Sequence, residues 1–473
     1  MVVGEISQER DLVIIGGGPG GYNAAIRAAQ LGLEVTLIET EDMGGVCLNK
    51  GCIPSKVWTH AAKKNAELVH LKELGIHTGN TSFDIKKLMA YKTKVTDQLR
   101  SGVEALCKAN KIELIEGKAS FLTEDRIGVE NGHQFDVYVF KQAIIATGST
   151  TKYPAELSGN SSRIFLSYEI FELPHLPEHL IIYGSDYISL EIASSYASFG
   201  SKVTILMRED EDFLFDKSIN KELKRLLKRK KIQVKKQVVI QAVEETEKDI
   251  RITFADDKQT KQTVEGTHLV AIGEKKPNVN ELGIGRLGMK QTDKGSIVIN
   301  HRMQTSLPSI YAIGDVTEGP LLAVKAIKQG KAAVESIAGG NPEVDLTFLP
   351  VVAHTIPPIA SVGLTEKEVH DHGLVARISQ FPIGSNGYAM ISNQRDGFIK
   401  VITDTRNDLI LGVHMIGEGA VELSAVFVQL LEMAGKEEDV IFPNYAHPSM
   451  NEGLMEAVES LIGHAIHITP QKQ

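Results

Sequence analysis

Cys47 and Cys52 stand five residues apart in Gly44-Gly45-Val46-Cys47-Leu48-Asn49-Lys50-Gly51-Cys52-Ile53-Pro54-Ser55-Lys56, and they are two of only three cysteines in the chain. On an ideal helix this spacing separates two Cα atoms by about 8–9 Å, beyond the ~7 Å limit for a disulfide. A bridge therefore needs an irregular turn, and Gly51 with Gly44-Gly45 supplies the backbone freedom. The pattern points to a redox disulfide, with two buried free thiols as the bland alternative. A metal reading lacks a second Cys or His pair at zinc spacing. Near the other end, His447 precedes Pro448, and Glu452 follows five residues later. Imidazole can take a proton from a dithiol and return it, and a carboxylate one turn on can fix its tautomer. A lone histidine near a helix start is also a common structural residue.

A second set of residues suits nucleotide binding. Val13-Ile14-Ile15 enters Gly16-Gly17-Gly18-Pro19-Gly20-Gly21, a helix is expected over 22–31, and the strand 34–38 ends at Glu39. The first glycine makes the tight turn and the second lets backbone approach a pyrophosphate. The third allows close helix–strand packing, with the phosphates on the helix N-terminus. Glu39 lies where a ribose hydroxyl needs an acceptor. Shifted by 168 positions the pattern returns without a gap: strand 180–183 enters Gly184, a helix is expected over 190–199, and strand 203–206 follows Gly200. In this copy Gly18 becomes Asp186, Gly21 becomes Ser189 and Glu39 becomes Met207. The scaffold is kept while its phosphate and ribose chemistry has changed, so weakened dinucleotide binding, or a βαβ unit that binds nothing, is expected.

The elements that must position these groups are legible too. Residues 143–149 read as an apolar strand ending in a small-residue turn, and 269–273 repeat that pattern before Pro277-Asn278. A buried strand over 310–316 presents Asp315 at its C-terminal end, where open α/β sheets bind ligands; capping a helix from about Leu322 is its other reading. Residues 323–338 read as an amphipathic helix, with a boundary near Gly339-Gly340-Asn341-Pro342. Beyond it, strands at 360–362, 398–401 and 409–413 and helices at 420–434 and 452–462 suggest a separate α+β domain. Residues 217–236 hold ten lysines or arginines, with Ile219, Leu223, Leu226 and Leu227 at helical spacing. With the acidic residues of 209–212 just upstream, this reads as a solvated helix face that could attract an acidic partner.

Composition excludes whole classes. With 473 residues, 42% hydrophobic and 23% charged, the chain is globular and about two to four domains long. The net charge of −9 and 6% aromatic content give no footing for nucleic acid or an anionic membrane. No apolar run approaches the ~20 residues of a membrane span, no signal peptide is visible, and three cysteines suit a reducing cytoplasm.

GGGPGG, GGVCLNKGCIPSK, ATGS, YAIGDV, PPIASVGLTE and AHPSMNE, in this order over essentially the whole chain, resemble the dihydrolipoamide dehydrogenases. These are flavoproteins of the class I pyridine nucleotide–disulfide oxidoreductases. MVVG at the start and GHAIHI near the end resemble the version serving Gram-positive pyruvate dehydrogenase complexes. The resemblance implies two Rossmann-like nucleotide-binding domains plus a C-terminal α+β dimerisation domain. Residues 1–150 and 281–345 would bind FAD, 151–280 NAD, and 346–473 would form the homodimer interface. Gly16, Gly18, Gly21, Glu39, Lys56, Ala119, Gly148 and Asp315 would hold FAD, Glu39 at the adenosine ribose and Asp315 at the ribityl chain. Gly184, Met207, Gly273 and Ala323 complete the cofactor-binding positions, and Lys56 with Glu191 would form an ion pair on the nicotinamide side of the flavin. Cys52 would be the flavin-proximal charge-transfer thiol and Cys47 the thiol that exchanges with dihydrolipoamide. His447 and Glu452 would complete the active site of the other subunit, while His354 and His414 read as structural. The substrate would be the lipoyl domain of a 2-oxo acid dehydrogenase complex, with no metal. Two rivals stand beside this: an NADPH-dependent reductase of another small disulfide, suggested by Arg208, and a flavin-bound assembly subunit or thiol sensor.

Overall fold

A computed structural model of the chain describes residues 7–79, 81–157, 161–208, 212–255 and 260–469. The initial MVVG and residues 209–211 of the acidic stretch lie outside them. The described chain divides into two compact units, each assembled from three segments.

The first unit takes residues up to 57, 86–153 and 273–345. Its apolar runs are too continuous for a half-exposed strand, and they form the parallel heart of a seven-stranded sheet. Across the sheet run Glu113–Glu116, Val35–Glu39, Ser7–Ile15, Gln134–Ile145, Arg126–Asn131 and Lys118–Thr123, and Ile310–Ala312 also pairs with Gln134–Ile145. Leu12, Val13, Ile14, Ala143, Ile144 and Ile145 are all fully buried, each worth about 1–3 kcal/mol of burial. The register decides the site: Ile15 pairs with Ile38 and Ile145, and Ile145 with Ala312. Gly16, Glu39, Ala146 and Ile313 therefore leave the sheet along one edge.

Helix Pro19–Gln30 lies against this sheet and starts at Pro19 rather than 22, since proline's fixed φ suits the first helical position. It meets helix Ala323–Ile337 closely, because a Cβ on Gly330 would stand 2.7 Å from the Gly20 carbonyl oxygen. The strand expected over 310–316 stops at Ala312, and Gly314–Val316 form a 3-10 turn with Gly314 at φ +71°. Asp315 does not cap the following helix, whose N-cap is Leu322 without a side-chain bond.

The second unit holds a five-stranded parallel sheet in the order Gln233–Lys235, Lys202–Leu206, His179–Tyr183, His268–Ala271 and Ile164–Leu166. Its helix Tyr187–Ser198 begins three residues before the expected start. In the basic stretch, the helix is Lys217–Arg229 with Ile219, Leu223, Leu226 and Leu227 buried. It ends before 236 because the chain turns at Lys231 (φ 58°) into the strand Gln233–Lys235. Four of its ten cations are paired within the unit: Lys224 and Lys236 on Asp212, Arg225 and Arg229 on Asp396. A solvated helix face is what the structure shows.

A second sheet in this unit is antiparallel, in the order Val351–Ala353, Ile359–Gly363, Ile410–Ile416, Phe398–Asp404 and Ala376–Pro382. Helices Ala420–Glu432 and Glu452–Leu461 supply Leu423, Phe427, Leu454 and Val458 to its core. Among the described residues no helix is long and apolar enough to cross a membrane, and no cluster of ligating side chains could hold a metal ion.

Candidate active site

The glycine-rich turn of the first unit is shaped on both sides. A Cβ on Gly21 would stand 1.8 Å from the Gly16 carbonyl oxygen, so packing alone demands glycine there. A Cβ on Gly18 would meet nothing within 4 Å. Gly18 is therefore not required by the protein's own packing, and the space over the helix N-terminus suits a phosphate. Gly148, at φ +70°, is likewise open. Glu39 ends its strand with the carboxylate fixed by backbone: Gly17 N–H donates to Oε2 at 2.6 Å, and Thr40 and Glu41 N–H to Oε1 at 2.7 and 2.9 Å. Ala119 lies buried in the strand Lys118–Thr123, and half-buried Ala323 opens its helix.

Asp315 is held by a partner the sequence did not single out, since Ser149 Oγ donates to its Oδ2 at 2.7 Å. The turn is braced from below by Lys325, fully buried, whose Nζ donates to the carbonyls of Thr317 and Glu318 at 3.2 and 3.0 Å. Burial holds the Lys325 ammonium below the usual lysine range, with Asp315 opposing. Lysine inside an alanine-rich helix reads as a solvent-facing residue, which is why sequence gave no signal for it. Open backbone at Gly18 and Gly148, with carboxylates at Glu39 and Asp315 along one sheet edge, is a donor and acceptor set that fits FAD.

The disulfide stands beside this turn. Cys47 and Cys52 are bonded, with Cα atoms 4.6 Å apart, inside the normal range. The geometry comes from a helix break: Cys47 lies in the short helix Gly45–Asn49, the chain turns at Lys50-Gly51, and Cys52 heads the helix Cys52–Glu67. Gly44 and Gly45 adopt φ +98° and +60°. Gly44 N–H donates to the Gly17 carbonyl, and a Cβ on Gly45 would lie 2.8 Å from Gly18 Cα. The sulfur-bearing segment is thus packed directly on the phosphate turn. Lys56 is one helical turn beyond Cys52, on the same face. The third cysteine, Cys107, is buried, and burial pushes its thiol up to about 11, which leaves it inert.

In the second unit, His447 Nδ1 is 2.7 Å from Glu452 Oε1, and Ser449 N–H donates to Oε2 at 2.8 Å. Partial burial raises the Glu452 pKa, but the bonds from His447 and Ser449 outweigh it and hold the carboxyl below its usual range. With Nδ1 given to the carboxylate, Nε2 is the nitrogen left to exchange a proton. His447 is itself largely exposed. The helix Glu452–Leu461 also carries Glu456, whose Oε1 lies 2.5 Å from Nδ1 of His467 beyond the helix. Glu191 is buried and accepts from His354 N–H at 2.8 Å. His414 is buried, with Nε2 3.0 Å from the Leu364 carbonyl oxygen.

The degenerate repeat keeps its strands and helix. Gly184 and Met207 leave the sheet at one edge, since Tyr183 pairs with Leu206, but Met207 is fully buried. Gly273 belongs to the first unit, where a Cβ would stand 2.0 Å from the Lys152 carbonyl oxygen. Arg208, the basis of the NADPH rival, bonds Glu156 Oε1 at 2.8 Å and the Tyr183 hydroxyl at 2.9 Å, and its guanidinium covers the Tyr183 ring. Burial and the Glu156 bond push the Tyr183 phenol up to about 12 against the pull of Arg208. The arginine is thus committed to an internal network.

A dinucleotide turn packed against a disulfide, followed in the chain by a second Rossmann sheet and an α+β domain, defines a flavoprotein disulfide oxidoreductase. The chain belongs to the pyridine nucleotide-disulphide oxidoreductase family: residues 10–330 match its main domain and 349–458 its dimerisation domain. Within it, the chain is 39% identical to a dihydrolipoyl dehydrogenase of Geobacillus stearothermophilus, over 99% of both chains. It is 38% identical to the enzyme of that name from Bacillus subtilis, over 99% of this chain and 100% of the other. The crystal structure of LpdA from Mycobacterium tuberculosis shares the fold, with TM-score 0.88 at 23% identity over 96% of this chain and 99% of that one.

Proposed function

We propose that this chain, as a homodimer in a reducing cytoplasm, oxidises dihydrolipoamide carried on the lipoyl domain of a 2-oxo acid dehydrogenase complex. The observation that carries the reading is the unequal setting of the two cysteines. Cys52 sits at the N-terminus of a 16-residue helix, with Lys56 one turn on, while Cys47 lies inside a five-residue helix. Helix dipole and ammonium both favour the thiolate of Cys52. In thiol–disulfide exchange the sulfur with the lower pKa leaves faster, so attack falls on Cys47 and expels Cys52.

The His447–Glu452 dyad of one copy serves the disulfide of the other. His447 Nε2 takes a proton from one substrate thiol, and the thiolate bonds to Cys47 Sγ as the Cys47–Cys52 bond breaks. The second substrate sulfur then gives up its proton and closes the substrate disulfide, expelling Cys47, which takes up a proton. Substrate loses two electrons and two protons: the electrons leave Cys47 as a thiol and Cys52 as a thiolate, with one proton on Cys47 and the other on His447. Gly16, Gly18, Gly21, Glu39, Lys56, Ala119, Gly148 and Asp315 would hold FAD, which supplies a two-electron acceptor when bound, with NAD as the final acceptor. Residues 1–150 and 281–345 form the flavin part, 151–280 the nicotinamide part and 346–473 the interface.

Anaerobic titration of the FAD-loaded protein with dihydrolipoamide tests this. The flavin should reduce, passing through a long-wavelength absorbance band that Cys52→Ser abolishes. A protein that does not bind FAD, or a band that persists in Cys52→Ser, overturns it.

A further inference from the structure

The two βαβ repeats align without a gap at an offset of 168 residues, so each serves as a control for the other. In the first, Gly18 heads its helix with φ −66° and ψ −177° and makes no side-chain bond. In the second, Asp186 heads its helix in nearly the same conformation, φ −84° and ψ 178°. The backbone at this position is the same, and the carboxylate is the addition. Its Oδ1 accepts from the Ser189 N–H at 2.9 Å and lies 3.1 Å from the Ser189 hydroxyl.

That N–H is among the donors that an uncapped helix N-terminus offers to a phosphate. Ser189, fully buried, replaces a glycine whose Cβ the first turn could not contain, because the Gly16 carbonyl would stand 1.8 Å away. The second turn is rebuilt to accept it: Gly16 holds φ +106°, and Gly184 does not adopt a positive φ. The strand end has changed as well. Glu39 offers a half-buried carboxylate, whereas Met207 is fully buried and Arg208 is engaged by Glu156 and Tyr183. Three features that a dinucleotide needs have been replaced together. The residues present do not fit the pyrophosphate of NAD.

We propose that the second nucleotide-binding unit is self-capped. The Asp186 carboxylate occupies the helix N-terminus that a dinucleotide pyrophosphate would take, and Asp186 with Ser189 makes the unit a weak binder of NAD. The inference rests on the proposed function only in taking a pyridine nucleotide as the electron acceptor. A pyrophosphate entering here meets a like charge and must displace an existing cap. Screened by water and counterions, a contact of that kind costs roughly ten- to a hundredfold in affinity.

Calorimetric titration of the FAD-loaded protein with NAD, and with ADP-ribose, reads this directly. ADP-ribose carries the pyrophosphate and cannot exchange a hydride. Wild type should bind both weakly, and Asp186→Gly with Ser189→Gly should bind both about tenfold more tightly or better. Asp186→Asn, which keeps an oxygen for the cap and removes the charge, should gain part of that and stands in if the glycine variant does not fold. A gain in affinity cannot come from damage to the fold. Wild type binding NAD at micromolar concentration with no change in the variants overturns the proposal, and so does weak binding that no variant improves. Dithiol reduction of the flavin is read separately on wild type; its failure removes the proposed function and leaves the binding result standing.

Discussion

Cys47 and Cys52 share one bond, but only Cys52 has a long helix behind it, and the chemistry follows from that asymmetry. A thiolate at such a helix end is stabilised by the N-terminal partial charge, so the disulfide is polarised before substrate arrives. The dyad supplies what the sulfurs lack, a place for the proton. His447→Gln should lower the rate of dihydrolipoamide oxidation by about 10²–10⁴-fold, the usual worth of a general base. FAD content by absorbance should stay that of wild type, and wild-type turnover in this variant would make His447 structural. Glu452 contributes to the acid side of its pH dependence. Its carboxyl is held below the ordinary range, so its contribution is complete above that range and is lost as pH falls through the folded value. Flavin reduction by dithiol, followed by stopped flow, should therefore weaken on the acid side.

At the scale of the element, the strand–turn–helix at Ile15–Pro19 separates two demands that glycine meets. Gly21→Ala would drive a methyl into the Gly16 carbonyl, whereas Gly18→Ala meets open space. Gly18→Ala should fold with an unchanged melting temperature as apoprotein and bind FAD more weakly in equilibrium titration. Gly21→Ala should melt lower, because the turn itself must shift, at a cost of about 1–3 kcal/mol for overpacking. Equal loss of stability in both would mean that neither glycine is kept for the ligand. This element was legible from sequence because parallel strands buried on both faces leave continuous apolar runs and the glycines mark the turn. Asp315 stood out at the end of an apolar run, and Cys47 and Cys52 by their five-residue spacing among glycines. What stayed hidden depends on groups far apart in the chain. Glu156 claiming Arg208 and Ser149 holding Asp315 both follow from how distant elements pack, which local pattern does not encode. The end of the basic helix at Arg229 was hidden too, because the composition continues while the backbone turns.

At the scale of the molecule, the chain visits each of its two compact units repeatedly. The dithiol-exchanging sulfurs belong to the first unit and the His447–Glu452 dyad to the second. Around the dyad in sequence, Met433, Phe442 and Ile466 are 81%, 90% and 76% exposed in the single chain. These bare apolar side chains fall in or beside the segment that matches the dimerisation domain. If, as proposed, each active site takes its sulfurs from one chain and its base from the other, a two-fold dimer makes a sharp demand. Cys47→Ser and His447→Gln homodimers should each be nearly inactive. A heterodimer of the two has one site with both defects and one site with none. Co-expression with random assembly makes half the dimers heterodimers, each with one working site, so about one quarter of wild-type turnover should return. If base and sulfurs instead act within one chain, every site in every dimer carries one defect and mixing restores nothing. Turnover of the co-expressed pair, compared with the two homodimers at equal flavin concentration, decides between these arrangements.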